Sequence, residues 1–118
     1  MGPSLSFLDP EIELHIGSRT SGFIAPDLLG VHRGHEGYLR VWEAILDAWD
    51  DLRLEHEEVI DFGGQLLAGG RFRGHGTFSG ISLDEPLFSV FTLRRGLVIR
   101  QDDFVERDEA LEAAGLSE

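Results

Sequence analysis

The sequence predicts an α+β domain in which a curved antiparallel sheet packs against one long helix. Three observations predict this fold. A broad apolar stripe recurs with helical spacing between Gly34 and Asp50, tight-turn signals join apolar segments into two hairpins, and a short helical segment follows the second hairpin. Because we find no internal repeat and no second domain, residues 1–118 are expected to form a single domain.

The composition disfavours several classes of function. Acidic residues outnumber basic ones, 22 to 10, which gives a formal net charge of −12. Nucleic acids and anionic membranes attract the opposite charge, so neither is expected as a partner. No apolar run approaches the roughly 20 residues that a membrane span needs, and the first residues lack the pattern of a signal peptide. The chain has no cysteine, which excludes disulfides and thiol catalysis but does not determine the compartment. A cytoplasmic enzyme or binding protein is the default expectation.

The first half of the chain predicts one strand, a loop and the long helix. Glu11 to Ile16 alternates as a short strand, and Gly17 to Gly30 has the glycine, serine and proline content of an irregular loop. Gly34 to Asp50 is the helix, since apolar residues recur there at i, i+4, i+7 and i+11. These positions are Tyr38, Trp42, Ile45 and Trp49.

The second half predicts two hairpins and a closing helix. The four strands are expected over Leu54 to Phe62, Gln65 to Gly74, Leu87 to Leu93 and Leu97 to Val105, with a connection over Ile81 to Pro86. Gly63-Gly64 forms the first turn and Arg94-Arg95-Gly96 the second. A type I turn with Gly96 in the left-handed region would keep both arginines at negative φ. The last helix is expected to begin after Glu106 and to end at Gly115.

The first strand of the second hairpin is apolar on both faces. Leu87, Phe91 and Leu93 alternate onto one face, and Phe88 and Val90 onto the other. A sheet that is apolar on both sides must be covered on both sides. The long helix covers one side, and a second copy of the chain is the simplest cover for the other. We therefore expect a homodimer formed through the sheet.

The second strand of that hairpin carries the principal candidate for function. Side chains alternate along a strand, so Asp103 shares a face with Gln101 and with the apolar Leu97 and Ile99. If this face is enclosed, Asp103 is a carboxyl group in the wall of an apolar pocket. Burial there raises its pKa toward a range useful for general acid or base catalysis. The alternatives are an exposed acid near a strand end, or the opposite register, which turns Arg100 and Asp102 inward.

The other chemistry-bearing residues are histidines and aromatics. His75, flanked by glycines at the end of a strand, is the best placed histidine for an acid–base or hydrogen-bonding role, and a structural role is the alternative. His32 and His35 are the closest pair, but their spacing matches no known ligand pattern, so no metal site is expected. No other cofactor is expected either. The aromatic residues either line a ligand site or form core. The expected ligand-binding residues are Leu14, Trp42, Trp49, Phe91 and Gln101.

Four stretches together carry a family resemblance. They are Phe7-Leu8-Asp9-Pro10-Glu11-Ile12-Glu13, Arg33-Gly34-x-Glu36-Gly37, the Gly63-Gly64 hairpin, and the ending VFTLRRGLVIRQDDFVERDEALEAAGL. Over nearly the whole chain they resemble the SnoaL-like members of the NTF2-like superfamily. The resemblance implies a cone-shaped fold, in which a highly curved antiparallel sheet wraps around a helix, with an internal pocket and sheet-to-sheet dimers. Two N-terminal helices usually close the wide end of this cone. Only seven residues precede Leu8 here, so we expect either a shortened version of the fold or a cone closed by residues 17–30 or by a dimer partner.

The same resemblance implies a range of chemistries. The superfamily includes ketosteroid isomerases, polyketide cyclases, epoxide hydrolases and dehydratases, together with non-catalytic binders. The cyclases carry a pocket aspartate on their last strand, and Gly96 to Asp103 matches that layout with Asp103 at the aspartate. Their partner histidine would fall near His75.

Two hypotheses of different class follow from the sequence. In the first, the protein is a cofactor-free enzyme acting next to a carbonyl group, with Asp103 as base, His75 or Gln101 as hydrogen-bond partner, and Trp42 and Trp49 as pocket wall. In the second, it is a ligand-binding or dimerisation module without chemistry, because a fold does not determine a function. In both, the expected ligand is a small apolar organic molecule.

Overall fold

The computed structural model describes residues 5–16 and 28–115. A 3-10 turn, Leu5–Phe7, precedes the first strand. The strands are β1 (Leu8–Ile16), β2 (Gly30–Arg33), β3 (Trp49–Asp61), β4 (Gln65–Gly76), β5 (Ser82–Arg94) and β6 (Leu97–Phe104), and the helices are α1 (Gly34–Ala48) and α2 (Arg107–Ala113). The loop predicted over residues 17–30 lies outside the described residues except for its last three.

The six strands form one sheet in the order β2-β1-β6-β5-β4-β3. From β3 to β6 neighbouring strands run antiparallel in chain order, as the sequence predicts. β1, however, pairs with β6 in parallel, so the sheet is not antiparallel throughout. β2 adds an antiparallel edge strand next to β1 that the sequence does not predict, because four residues are too few for an alternating pattern to show.

α1 packs on one face of the sheet, called the inner face below. Its larger buried side chains are Tyr38, Val41 and Ile45, which join strand residues in the main core. The helix ends at Ala48 rather than Asp50, because the backbone of Trp49 is extended and pairs with β4. Contrary to the prediction, Trp49 is therefore a strand residue and not a helix residue. Its side chain still packs against the main core. No helix among the described residues is long and apolar enough to cross a membrane.

The outer face of the sheet is covered in part by α2. Leu67 of β4, Val90 of β5 and Ala110 of α2 are buried together, with Phe88 and Phe104 packed around them. The chain thus supplies a cover for part of the second apolar face of β5, a cover that the sequence pattern predicts from a second copy. Dimer formation remains a prediction that the structure of a single chain does not test.

The last hairpin differs from its prediction at both ends of β5. Arg94 pairs with Leu97, so the turn has two residues, Arg95 at φ +55° and Gly96 at φ +78°. Positive φ at both positions is the type I′ geometry, whose twist matches that of the flanking strands, so the predicted type I turn is wrong. β5 also begins at Ser82, so most of the predicted connection is strand. Pro86 obscures this in the sequence because proline cannot donate a ladder hydrogen bond.

Candidate functional site

Asp103 and Gln101 lie on the inner face of β6. Gln101 is only 5% exposed and Asp103 is partly buried. The hydroxyl group of Tyr38, on α1, donates a hydrogen bond of 2.7 Å to Oε1 of Gln101, which shows that this face of the strand meets the helix. The structure therefore places Asp103 inward, rather than the ion-paired Arg100 and Asp102.

A β-bulge determines which apolar residues accompany Asp103. The register between β5 and β6 shifts by one residue after Thr92, which makes Ile99 an extra residue in β6. Alternation is interrupted at the bulge, so Val98 packs in the main core, not Leu97 or Ile99. The inward direction of Asp103 agrees with the prediction, whereas the two apolar companions named for it are wrong.

Within the described part of the chain, the side chains of Ser89 and Gln101 hold the carboxyl group of Asp103. The hydroxyl of Ser89 on β5 donates to Oδ1 at 2.7 Å, and Nε2 of Gln101 donates to the same oxygen at 2.9 Å. Burial raises the pKa of Asp103 from its usual 3.8 to about 6, although both donors lower it, and the neighbouring Asp102 raises it further. A carboxyl group with this pKa is ionised at neutral pH and is more basic than an exposed aspartate.

Tyr38 is among the largest fully buried side chains of the described residues. Burial raises the pKa of its phenol well above the usual value; a hydrogen bond from Trp42 opposes that rise, and the charge of Asp103 adds to it. The phenol therefore remains protonated and donates to Gln101. The sequence predicts Tyr38 only as part of the apolar helix stripe, and no sequence pattern singles out Ser89. The available signal was a hydroxyl group inside an apolar helix stripe, which needs a partner once it is buried.

Three of the predicted ligand-binding residues surround this group. Leu14 of β1 and Phe91 of β5 are the register neighbours of Gln101 on its two sides. Leu14 is buried and Phe91 is partly buried, and both pack in the main core. Trp42 lies about one helical turn after Tyr38 on α1 and packs edge-to-face against Phe72, with ring centroids 6.0 Å apart.

His75 and Trp49 lie at the opposite end of β4 from this group. Ala68 of β4 is in register with Ser89, and His75 is seven residues farther along the strand, about 20 Å away at the rise of an extended chain. Nε2 of His75 is 4.0 Å from two carboxylates of β3, and the ring lines an open cleft of about 450 Å³. His75 is therefore not the hydrogen-bond partner of Asp103. Trp49 pairs with Gly76, next to His75.

The two closest histidines in the sequence have structural partners. Nε2 of His32 donates to the carbonyl of Leu28 at 2.7 Å, and Nε2 of His35 donates to the carbonyl of Leu8 at 2.9 Å. The second bond ties the start of α1 to the start of β1. Within residues 5–16 and 28–115, no three side chains of the metal-binding types converge on a common point.

Comparison with known proteins gives a family match and a set of structural neighbours. The profile of the SnoaL-like domain family matches residues 5–101. A search of curated proteins finds no match.

Three solved structures illustrate the likeness. An NTF2-like protein from Burkholderia thailandensis has a TM-score of 0.75 at 19% identity, over 95% of this chain and 80% of that protein. TerC, crystallised with polyporic acid, has a TM-score of 0.71 at 20% identity, over 95% and 81%. A protein from Jannaschia assigned to the SnoaL-like polyketide cyclases has a TM-score of 0.71 at 19% identity, over 95% and 73%. These likenesses establish the NTF2-like cone fold.

Proposed function

The chain belongs to the SnoaL-like family, and from that premise we propose that it binds a small apolar organic molecule at the inner face of its sheet and removes a proton next to a carbonyl group. The observation that carries this proposal is the inward carboxyl group of Asp103, held by Ser89 and Gln101 beside the buried hydroxyl of Tyr38. No cofactor takes part in the proposed reaction. Asp103 is its base.

The proposed step balances with the groups at hand. The C–H bond next to the carbonyl breaks, the proton passes to the carboxylate of Asp103, and the electron pair moves onto the carbonyl oxygen as an enolate. Return of the proton at another carbon gives an isomer. Alternatively, the enolate carbon attacks a second carbonyl of the same molecule and closes a ring, and the resulting alkoxide takes the proton back from Asp103. A partly desolvated carboxylate suits this role because it is a stronger base than an exposed one and yet remains ionised near neutrality.

Hydrogen–deuterium exchange at the carbon beside the carbonyl tests this proposal without knowledge of the natural substrate. A panel of small cyclic ketones is incubated with the protein in deuterated buffer, and deuterium incorporation is followed by proton NMR. We expect the wild type to accelerate exchange for some members of the panel. Asp103→Asn should reduce the rate by about 100-fold or more, the usual size of a general-base contribution. Asp102→Asn is the matched control because Asp102 is adjacent but pairs with Arg100.

A second candidate function is ligand binding without chemistry. The observation that favours it is that Oδ1 of Asp103 accepts two internal hydrogen bonds, an arrangement that a purely structural carboxyl group also shows. Polyporic acid, the ligand crystallised with TerC, and the same ketones serve as probes in a thermal-shift assay. A ligand that binds only the folded state raises the melting temperature. A ligand-dependent rise without any exchange would favour this function over catalysis.

We also propose that the protein forms a homodimer through its sheet. The support is the outer face, where Phe88 and Phe104 remain only partly buried despite the cover that α2 provides. Sedimentation equilibrium distinguishes a dimer from the 13.1 kDa monomer. A mass that stays at the monomer value up to high micromolar concentration would contradict the dimer.

A further inference from the structure

A continuous line of side-chain hydrogen bonds connects α1 to the candidate carboxyl group. The hydroxyl of Tyr38 donates to Oε1 of Gln101 at 2.7 Å. Nε2 of the same amide donates to Oδ1 of Asp103 at 2.9 Å, and Ser89 donates to that oxygen from β5. Tyr38 and Gln101 are 63 positions apart in the sequence, so only the packing of α1 on the inner face brings them together.

The direction of this line is determined at both ends. An ionised carboxylate can only accept hydrogen bonds, so Gln101 must turn its nitrogen toward Asp103 and its oxygen toward Tyr38. At the other end the hydroxyl of Tyr38 donates its proton to the amide oxygen of Gln101, 2.7 Å away, which matches this orientation. Rotating the amide would leave the buried hydroxyl of Tyr38 without this acceptor, at a cost to the fold.

We infer that Tyr38 is a positioning residue, whose hydroxyl group fixes the Gln101 amide in the orientation that donates to Asp103. Its significance for catalysis rests on the proposed function, whereas the positioning itself is a property of the fold. Without the Tyr38 hydroxyl, the amide oxygen of Gln101 can turn toward Asp103. An acceptor facing the carboxyl group favours its protonated form, so Asp103 would no longer be ionised over the same range of pH.

The test is an NMR titration of the Asp103 side-chain carboxyl carbon in the wild type and in Tyr38→Phe. The substitution keeps the ring and removes only the hydroxyl. We expect it to raise the pKa of Asp103 by about 0.5 pH unit or more, since the donating orientation of the amide is lost. Val41→Ala is the control because Val41 is also a buried residue of α1, so the variant destabilises the helix packing while leaving the hydrogen-bond line intact. An unchanged pKa in Tyr38→Phe would show that Tyr38 serves only the core, and would overturn the inference.

A second variant keeps the inference testable if Tyr38→Phe does not fold. Tyr38 is the only tyrosine in the chain, so 3,5-difluorotyrosine can be incorporated at this single site. Fluorination makes the phenol a stronger donor, which should polarise the Gln101 amide and lower the pKa of Asp103, the opposite direction from Tyr38→Phe. The fluorine resonance should also titrate with Asp103 and should lose that titration in Asp103→Asn but not in Asp102→Asn. A fluorine signal that does not respond to Asp103 would overturn the inference.

The titration and the exchange assay can refute the positioning role and the proposed function independently of each other. If wild type catalyses exchange but Tyr38→Phe leaves the pKa of Asp103 unchanged, the positioning role is refuted and the proposed function stands. If Tyr38→Phe raises that pKa but no ketone exchanges, the positioning role stands and the proposed catalysis is refuted.

Discussion

Replacing Asp103 by asparagine should stabilise the protein at neutral pH. The folded protein holds the pKa of this carboxyl at about 6, above its usual 3.8, chiefly because of burial. A group whose pKa is raised on folding contributes stability below its unfolded pKa, and that contribution is lost as the pH rises through the folded value. The wild type therefore loses stability through Asp103 between about pH 4 and pH 6. Asparagine cannot ionise and avoids this loss.

The structure sets the size of the effect. A difference of about two pH units between the folded and unfolded pKa corresponds to about 3 kcal/mol, at ~1.4 kcal/mol per unit. Asparagine keeps a carbonyl oxygen that can accept the hydrogen bonds of Ser89 and Gln101, so the substitution removes the charge but not the acceptor. For a domain of this length, the gain corresponds to a rise in melting temperature on the order of 10 °C.

Urea unfolding between pH 4 and pH 8 measures this prediction directly. The free energy of unfolding of Asp103→Asn should be close to that of the wild type at the acidic end. It should exceed the wild-type value by a growing margin until about pH 7, because the ionisable group is then fully charged in the wild type. Asp102→Asn removes the ion pair with Arg100 and should not reproduce this rise. A margin that is constant or that shrinks with pH would refute the buried, inward carboxyl group.

Three further predictions concern the contact between β3 and β4, the assignment of the site, and the ion pair between α2 and β3. Gly70→Ala places a Cβ against backbone atoms of β3 and should lower the free energy of unfolding in urea by about 2 kcal/mol or more. Gly64→Ala is the control, since Gly64 lies in the open at the hairpin turn, and its effect should be much smaller. Equal effects would contradict the close strand contact. His75→Ala should leave ketone exchange and the pKa of Asp103 unchanged, since the ring lies about 20 Å along β4 from Ser89, and a tenfold loss of rate would contradict our assignment of the site. Arg107→Gln breaks an ion pair of 2.7 Å between Arg107 of α2 and Glu58 of β3. Because both side chains are partly exposed, the free energy of unfolding in urea should fall by no more than about 1 kcal/mol. A larger decrease would mean that this pair anchors α2.

The local elements follow from residues that are close in the chain. Gly63-Gly64 marks the β3–β4 turn, the apolar spacing marks α1, and Gly115, at φ +76°, follows α2 as predicted. The family resemblance was likewise confirmed by the family match over residues 5–101. Asp103 was identifiable as well, because a carboxylate stands out on a strand that begins with three apolar residues, Leu97 to Ile99.

By itself, then, the sequence determined the order of the elements other than β2, the two hairpins, the family and the principal candidate residue. Tertiary structure alone decided the parallel pairing of β1 with β6, the bulge at Ile99 that brings Val98 inward, and the separation of His75 from Asp103. It also supplied Tyr38 and Ser89 as partners of the site. The physical reason is range: turn geometry and periodicity depend on neighbouring residues, whereas strand register and buried hydrogen bonds depend on which distant segments the hydrophobic core brings together.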